Sequence, residues 1–156
     1  MLAVAALVLV TAFGLASPAF EPGQTIPVEY TCDGLDVSPA LRWTTPPRGT
    51  KSFALIMDDP DAPGGTFTHW LAWNISPKAR GLRRGAHPPR EGATSFSRVG
   101  YGGPCPPSGT PHRYFFKLYA LRTPLALPAG SGRPALEKAM KGKVLKRVSL
   151  VGLYGR

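Results

Sequence analysis

Alternation of apolar and polar positions is clearest over residues 113 to 121, where Tyr114, Phe116, Leu118 and Ala120 interleave with Arg113, Phe115, Lys117 and Tyr119. A period of two in aromatic and aliphatic residues marks a strand with one buried face, and a strand is expected over 112 to 121. Residues 52 to 57, 68 to 75 and 144 to 154 are equally rich in such residues and predict three more. Helical pattern is confined to 134 to 141, with Pro134 at the start, Leu136 and Met140 four apart, Lys138 and Lys141 toward the end and Gly142 as a stop. Residues 76 to 100 are dense in loop formers and carry no alternation, so they read as the long connection. Strands separated by Pro/Gly turns, with one late helix, predict a mainly antiparallel β protein.

At 156 residues the chain fits one domain with a substantial core. Its 18 Gly and 18 Pro punctuate apolar segments in a sequence that is 43% hydrophobic, which separates it from disordered chains. The first sixteen residues carry no charge and are almost wholly Ala, Leu, Val and Phe, ending in Gly14-Leu15-Ala16. That segment is expected to be a signal peptide over residues 1 to 16, leaving a domain over 17 to 156 and a periplasmic or secreted location. No Lys or Arg precedes the apolar run, a departure from the usual leader, and an uncleaved membrane anchor is the alternative.

Charge is unevenly spread. Residues 1 to 61 carry three basic and seven acidic residues, whereas residues 62 to 156 carry sixteen basic and two acidic, for a net +10 overall. Arg80, Arg83, Arg84 and Arg90 sit among glycines and prolines without interleaved aromatics, so a solvated loop is expected there and no specific nucleic-acid site. Two cysteines occur, Cys32 and Cys105, in no close pair of the redox or metal-binding kind. Export would permit a disulfide between them, closing a loop of roughly 70 residues, worth about 4 kcal/mol by loop entropy; two buried thiols are the other reading.

Candidate chemistry gathers in three places. Asp58-Asp59-Pro60-Asp61-Ala62-Pro63 follows an apolar strand, so Asp59 and Asp61 stand where a rigid turn begins. Paired carboxylates there suit acid-base work, a metal, capture of a cation or a plain turn. His69, in Thr68-His69-Trp70-Leu71-Ala72-Trp73-Asn74, opens one expected strand, and His112 opens another after Gly103-Pro104-Cys105-Pro106-Pro107-Ser108-Gly109-Thr110-Pro111. A sheet brings both imidazoles to the edge that carries the Asp-Pro-Asp turn. His87, in Ala86-His87-Pro88-Pro89, has no such context and is expected on a surface loop.

These blocks, in this order, resemble the signatures of the phosphatidylethanolamine-binding protein family in its bacterial Raf-kinase-inhibitor-like branch. The likeness begins near Ser17-Pro18-Ala19-Phe20, runs through Tyr30-Thr31-Cys32-Asp33-Gly34 and Ser38-Pro39-Ala40-Leu41-Arg42-Trp43, and ends at Leu150-Val151-Gly152-Leu153-Tyr154-Gly155-Arg156. It implies an antiparallel β-sandwich with Greek-key connections and small peripheral helices. It also implies a small anion pocket on Asp59, Asp61, His69, Pro106, His112 and Tyr114. The chemistry fits, since a carboxylate holds an imidazolium charged and so keeps His69 or His112 as a donor to phosphate oxygens. A zwitterionic phosphoethanolamine-like ligand accommodates two carboxylates beside a phosphate, its ammonium meeting one of them. Arg113 is expected in a structural ion pair at the strand start.

The reading is therefore a non-catalytic binder of a small phosphate-like anion or phospholipid head group, with no cofactor and no metal. A protein-interaction module inhibiting a protease or kinase is the alternative by family association, and for an exported chain the protease is the more sensible target. A homodimer stays open. A hydrolase is disfavoured, because no nucleophile elbow or close-spaced metal motif occurs and the prolines flanking Cys105 leave no helix N-terminus to activate it. One loop departs from the family pattern. Thr94-Ser95-Phe96-Ser97-Arg98-Val99-Gly100-Tyr101 lacks an Asn near Thr94 and a Gly at Ser97, which bears on the pocket rim and the ligand more than on the fold.

Overall fold

In the computed structural model, residues 12 to 156 are described. Eight strands form two antiparallel sheets. The small sheet runs in the order β1 (Leu15–Ala16), β2 (Leu41–Trp43), β5 (Gly81–Leu82). The large sheet runs β6 (Arg90–Glu91), β4 (Phe67–Ile75), β3 (Ser52–Asp59), β7 (His112–Leu121), β8 (Val144–Tyr154). The four long strands are those the apolar runs predict, each within two residues at either end. All eight residues of β3 are buried, as its central place between β4 and β7 requires, and so its sequence reads as a continuous apolar run rather than an alternation.

Two cores lie on opposite faces of β3. Phe53, Leu55 and Met57 enter the larger one with Trp70, Phe116, Leu118 and, from the small sheet, Leu15, Leu41 and Trp43. Ala54 and Ile56 face the other way, against Leu71, Trp73, Leu121 and two residues of α1 (Arg133–Met140), Leu136 and Met140. The i, i+4 spacing of those two turns one stripe of an otherwise polar helix onto the sheet. Gly142, at φ 77°, ends the helical segment in the left-handed region that glycine adopts without strain.

Residues before 17 pack on the domain in this structure. Leu15 pairs with Trp43 and Ala16 with Arg42, while Phe13 is buried with its ring stacked on Phe53 at 6.1 Å. A cut after Ala16 would remove β1 and two core side chains, Phe13 and Leu15. The remainder of the expected leader, residues 1 to 11, lies outside the described residues.

Candidate functional site

β3 and β7 are antiparallel, so the last residues of one and the first of the other share an end of the sheet, and there the chain assembles its titratable side chains. Asp58 and Asp59 alternate across β3. Asp58 turns to the outer face, where its Oδ2 accepts from Lys117 Nζ and Arg133 Nη1, both at 2.8 Å. Asp59 turns inward. Its Oδ2 lies 2.7 Å from His112 Nδ1, and its Oδ1 accepts the Asp61 N–H at 2.8 Å, so a strand-end hydrogen bond and the Asp-Pro-Asp turn fix both oxygens. Asp59 and His112 side chains are only 4% and 12% exposed.

His69 arrives differently. Met57 pairs with Trp70 and Asp58 with Thr68, which leaves His69 as an extra residue in β4. Such a bulge re-aims side chains, and here His69 and Trp70 both turn to the inner face. His69 is consequently the third residue of its strand rather than the first. Its backbone carbonyl accepts the Gly102 N–H at 2.9 Å and its Nδ1–H donates to Gly102 O at 2.7 Å. That loop approaches so closely that a Cβ on Gly102 would fall 2.4 Å from the Phe96 ring. Aromatic rings surround the imidazole, with Phe67, Phe96 and Tyr114 centroids 5.1 to 5.2 Å away.

These groups open on a cavity of about 180 Å³ walled by Phe67, Phe96, Pro63 and Pro106. Of the six residues the sequence singled out, Asp59, His69, Pro106, His112 and Tyr114 line it. Asp61 does not. It forms a bidentate pair with Arg113, Nε to Oδ2 at 2.9 Å and Nη2 to Oδ1 at 2.8 Å, and also accepts the Arg113 N–H. Arg113 thus has the structural role expected of it, and its guanidinium holds the Asp61 carboxyl at about 2. His87 lies away from the cavity, its side chain 88% exposed.

Burial pushes the His69 imidazole below its ordinary value, outweighing the Gly102 carbonyl and the field of Asp59. Of the two histidines that a carboxylate was expected to hold, Asp59 meets His112; no carboxylate touches His69, whose Nδ1–H is committed to Gly102 O and whose lowered pKa favours the neutral ring with Nε2 left as an acceptor. Tyr114 is fully buried, and its hydroxyl, with Asp59 beside it, makes no hydrogen bond of good geometry among the described residues. Desolvation, with Asp59 close by, drives its pKa upward, so it stays protonated and able to donate.

Cys32 and Cys105 form a disulfide with their Cα atoms 5.4 Å apart, and Cys105 lines the cavity. The bond ties the 103 to 111 segment, which carries Pro106 and leads into His112, to the N-terminal part of the domain. The apolar wall was missed in the sequence. Phe67 was within reach, since it lies two residues before His69 on the same strand, but Phe96 belongs to the irregular loop and no periodicity exposes it.

A sequence profile described as phosphatidylethanolamine-binding protein matches residues 16 to 155. The chain belongs to that family. A UPF0098 protein of Aquifex aeolicus is 49% identical over 148 residues, covering 90% of this chain and 86% of that one. A Mycobacterium tuberculosis relative named as a lipoprotein candidate, LppC, is 39% identical over 143 residues, covering 90% of this chain and 71% of that one. Among solved structures, the homologue CT736 of Chlamydia trachomatis superposes with a TM-score of 0.89 at 37% identity, covering 93% of this chain and 98% of that one. YbcL of Escherichia coli, described as a new member of the mammalian PEBP family, gives 0.87 at 30% identity over 92% and 98%.

Proposed function

We propose that the cavity binds a small phosphate-like anion, such as a phosphomonoester or phospholipid head group, without turning it over. The observation that carries this reading is that two imidazoles and the buried Tyr114 line one largely apolar pocket. Tyr114 supplies a donor. His112, held from behind by Asp59, supplies a second through Nε2 when protonated. Neutral His69 accepts a hydrogen bond at Nε2 from a protonated ligand oxygen, or takes a proton from solvent and becomes a third donor; the second route couples binding to proton uptake.

Asp59 keeps a negative charge beside the phosphate, which disfavours a bare dianion and favours a ligand bringing a cation of its own. A phosphoethanolamine head group meets that condition, with its ammonium toward Asp59, because Asp61 is neutralised by Arg113. Among the described residues, the cavity lining holds no free thiol, serine, threonine or lysine, since Cys105 is bonded to Cys32.

The disulfide and the name carried by the mycobacterial relative support an envelope or extracellular location, since oxidising compartments are where such bonds persist. Calorimetric titration with phosphate and phosphoethanolamine tests the function, beside an assay for phosphate released from phosphoethanolamine. Saturable heat that is reduced about ten- to hundred-fold in affinity by His112→Ala, the range for one charge-assisted hydrogen bond, without release of phosphate, supports the reading. Steady release, or equal affinity in the variant, refutes it.

A further inference from the structure

The pocket occupies one end of the large sheet, and the opposite end has a different character. Ser52 pairs with Leu121 and Leu121 with Val144, so the start of β3, the end of β7 and the start of β8 meet there. Asp59 and Ser52 are seven residues apart on one strand, about 23 Å at 3.3 Å per residue. Backbone bonds draw the flanking segments together, from Lys51 N–H to Leu121 O and from Arg122 N–H to Lys143 O. A Cβ on Gly49 would lie 4.0 Å from Leu145 Cδ1.

That end carries Arg48, Lys51, Arg122, Lys143 and Lys146, and no acidic residue occurs in 37 to 57, 92 to 136 or 138 to 156; Glu137 lines the same hollow as Val144 but is paired with Arg133. None of the five is in an ion pair among the described residues. Between the cations stand Val144 and Leu145, 38% and 39% exposed, two of only five large apolar side chains that are exposed among the described residues. β8 is an edge strand, and lysine on an edge guards against strand pairing. That accounts for Lys146 but not for Arg48, Lys51 and Arg122, which lie on other segments.

We infer that this end of the sheet docks on an anionic lipid bilayer, with the cations in the head-group layer and Val144 and Leu145 at the acyl boundary. Unpaired cations around exposed aliphatic side chains match such an interface in both charge and polarity. A nucleic acid would satisfy the charge alone. It offers nothing to the valine and leucine, and the single aromatic beside them among the described residues, half-buried Tyr119, makes no run of stacking faces for successive bases. In this orientation the pocket mouth faces away from the docked surface, so of the ligands proposed above a soluble phosphomonoester or free head group reaches it from the aqueous side, and not the head group of a lipid in the docked bilayer.

The test is vesicle co-sedimentation of the full chain, with phosphatidylcholine alone and with about one-third phosphatidylglycerol added. Variant one carries Lys51→Gln, Arg122→Gln, Lys143→Gln and Lys146→Gln. Variant two carries Arg42→Gln, Lys78→Gln, Arg80→Gln and Arg83→Gln, exposed cations elsewhere on the domain, and so has the same net charge and the same N-terminal segment. At about 1 kcal/mol for each cation near an anionic surface, and a tenfold change for each 1.4 kcal/mol, variant one is expected to bind the anionic vesicles about a hundredfold or more weakly. Variant two should stay within a few-fold of the parent. A third variant, Val144→Ser with Leu145→Ser, should lose affinity several-fold and keep that deficit at about 1 M salt, where charge is screened. Equal binding by the two charge variants overturns the inference. So does an inert serine pair combined with a parallel loss of duplex DNA binding in variant one, which would assign the surface to a polyanion. Retained melting temperature and circular dichroism establish that each variant is folded, and if variant one fails to fold the serine pair still decides.

Discussion

Replacing Tyr114 by Phe should move stability and binding in opposite directions. The hydroxyl is buried and makes no hydrogen bond of good geometry among the described residues, with only Asp59 beside it, and a buried polar group without a well-made partner costs about 1 to 3 kcal/mol. The phenylalanine ring fills the same space against His69 and Phe116, so nothing else in the core changes. At the low end of that range, about 1 kcal/mol, the unliganded protein should melt about 2 to 4 °C higher, the scale for a domain of this size. The same change removes a neutral donor to a charged phosphate, about 1.5 to 3 kcal/mol, and affinity should fall about ten- to hundred-fold. Differential scanning calorimetry with and without phosphoethanolamine reads both quantities in one experiment. A variant that melts higher alone but gains less from ligand supports the argument. Unchanged affinity refutes it, because the orphaned hydroxyl would then not face the ligand.

Three further outcomes follow from the same geometry. Ser97 adopts φ 56°, the left-handed conformation for which glycine suffers no penalty, so Ser97→Gly should stabilise the protein by about 0.5 to 1 kcal/mol in urea denaturation. Phe13→Ala should cost about 3 kcal/mol in the same assay, because it empties a buried stack on Phe53; a negligible cost would place Phe13 outside the fold and support the boundary at residue 17. The pH dependence has two arms of defined sign. His69, depressed in the folded state, leaves the unfolded chain binding more protons near pH 6, so its contribution lowers stability as pH falls through about 6.5. His69→Phe should flatten that slope. Asp61, held at about 2, contributes stability above its unfolded value of about 3.9 that is lost as pH falls toward 2. Asp61→Asn should therefore raise the acid-unfolding midpoint.

Much of the architecture was legible because it rests on local periodicity. The alternation over β7 and the unbroken apolar run of β3 are direct consequences of one buried face and two. The short strands β1, β5 and β6 were not legible, since two residues carry no period; their pairing is dictated by tertiary contacts such as Leu15 against Trp43. β1 was also masked by the chemistry of its own segment, because an apolar stretch ending in small residues reads as a leader whether or not part of it is core. At the site, the strand-end aspartate and His112 were legible from their position beside turns. The state of His69 was not. Its neutrality depends on a bulge that turns it inward and on a loop carbonyl from Gly102, thirty-three residues away in sequence. Asp61 shows the reverse error, a carboxylate in the right motif whose partner, Arg113, was recognised but not linked to it.

The central claim is that His69 and His112 together receive a phosphate group. Nitrogen-15 NMR of the imidazoles during titration with phosphoethanolamine addresses it directly, since each ring nitrogen reports its own protonation and hydrogen bonding. The Nε2 resonances of His69 and His112 should shift saturably and together, moving toward the protonated form as ligand fills the pocket. Solvent-exposed His87 should not respond. Shifts at His87 with the other two silent, or no saturable change at any ring, would contradict the account.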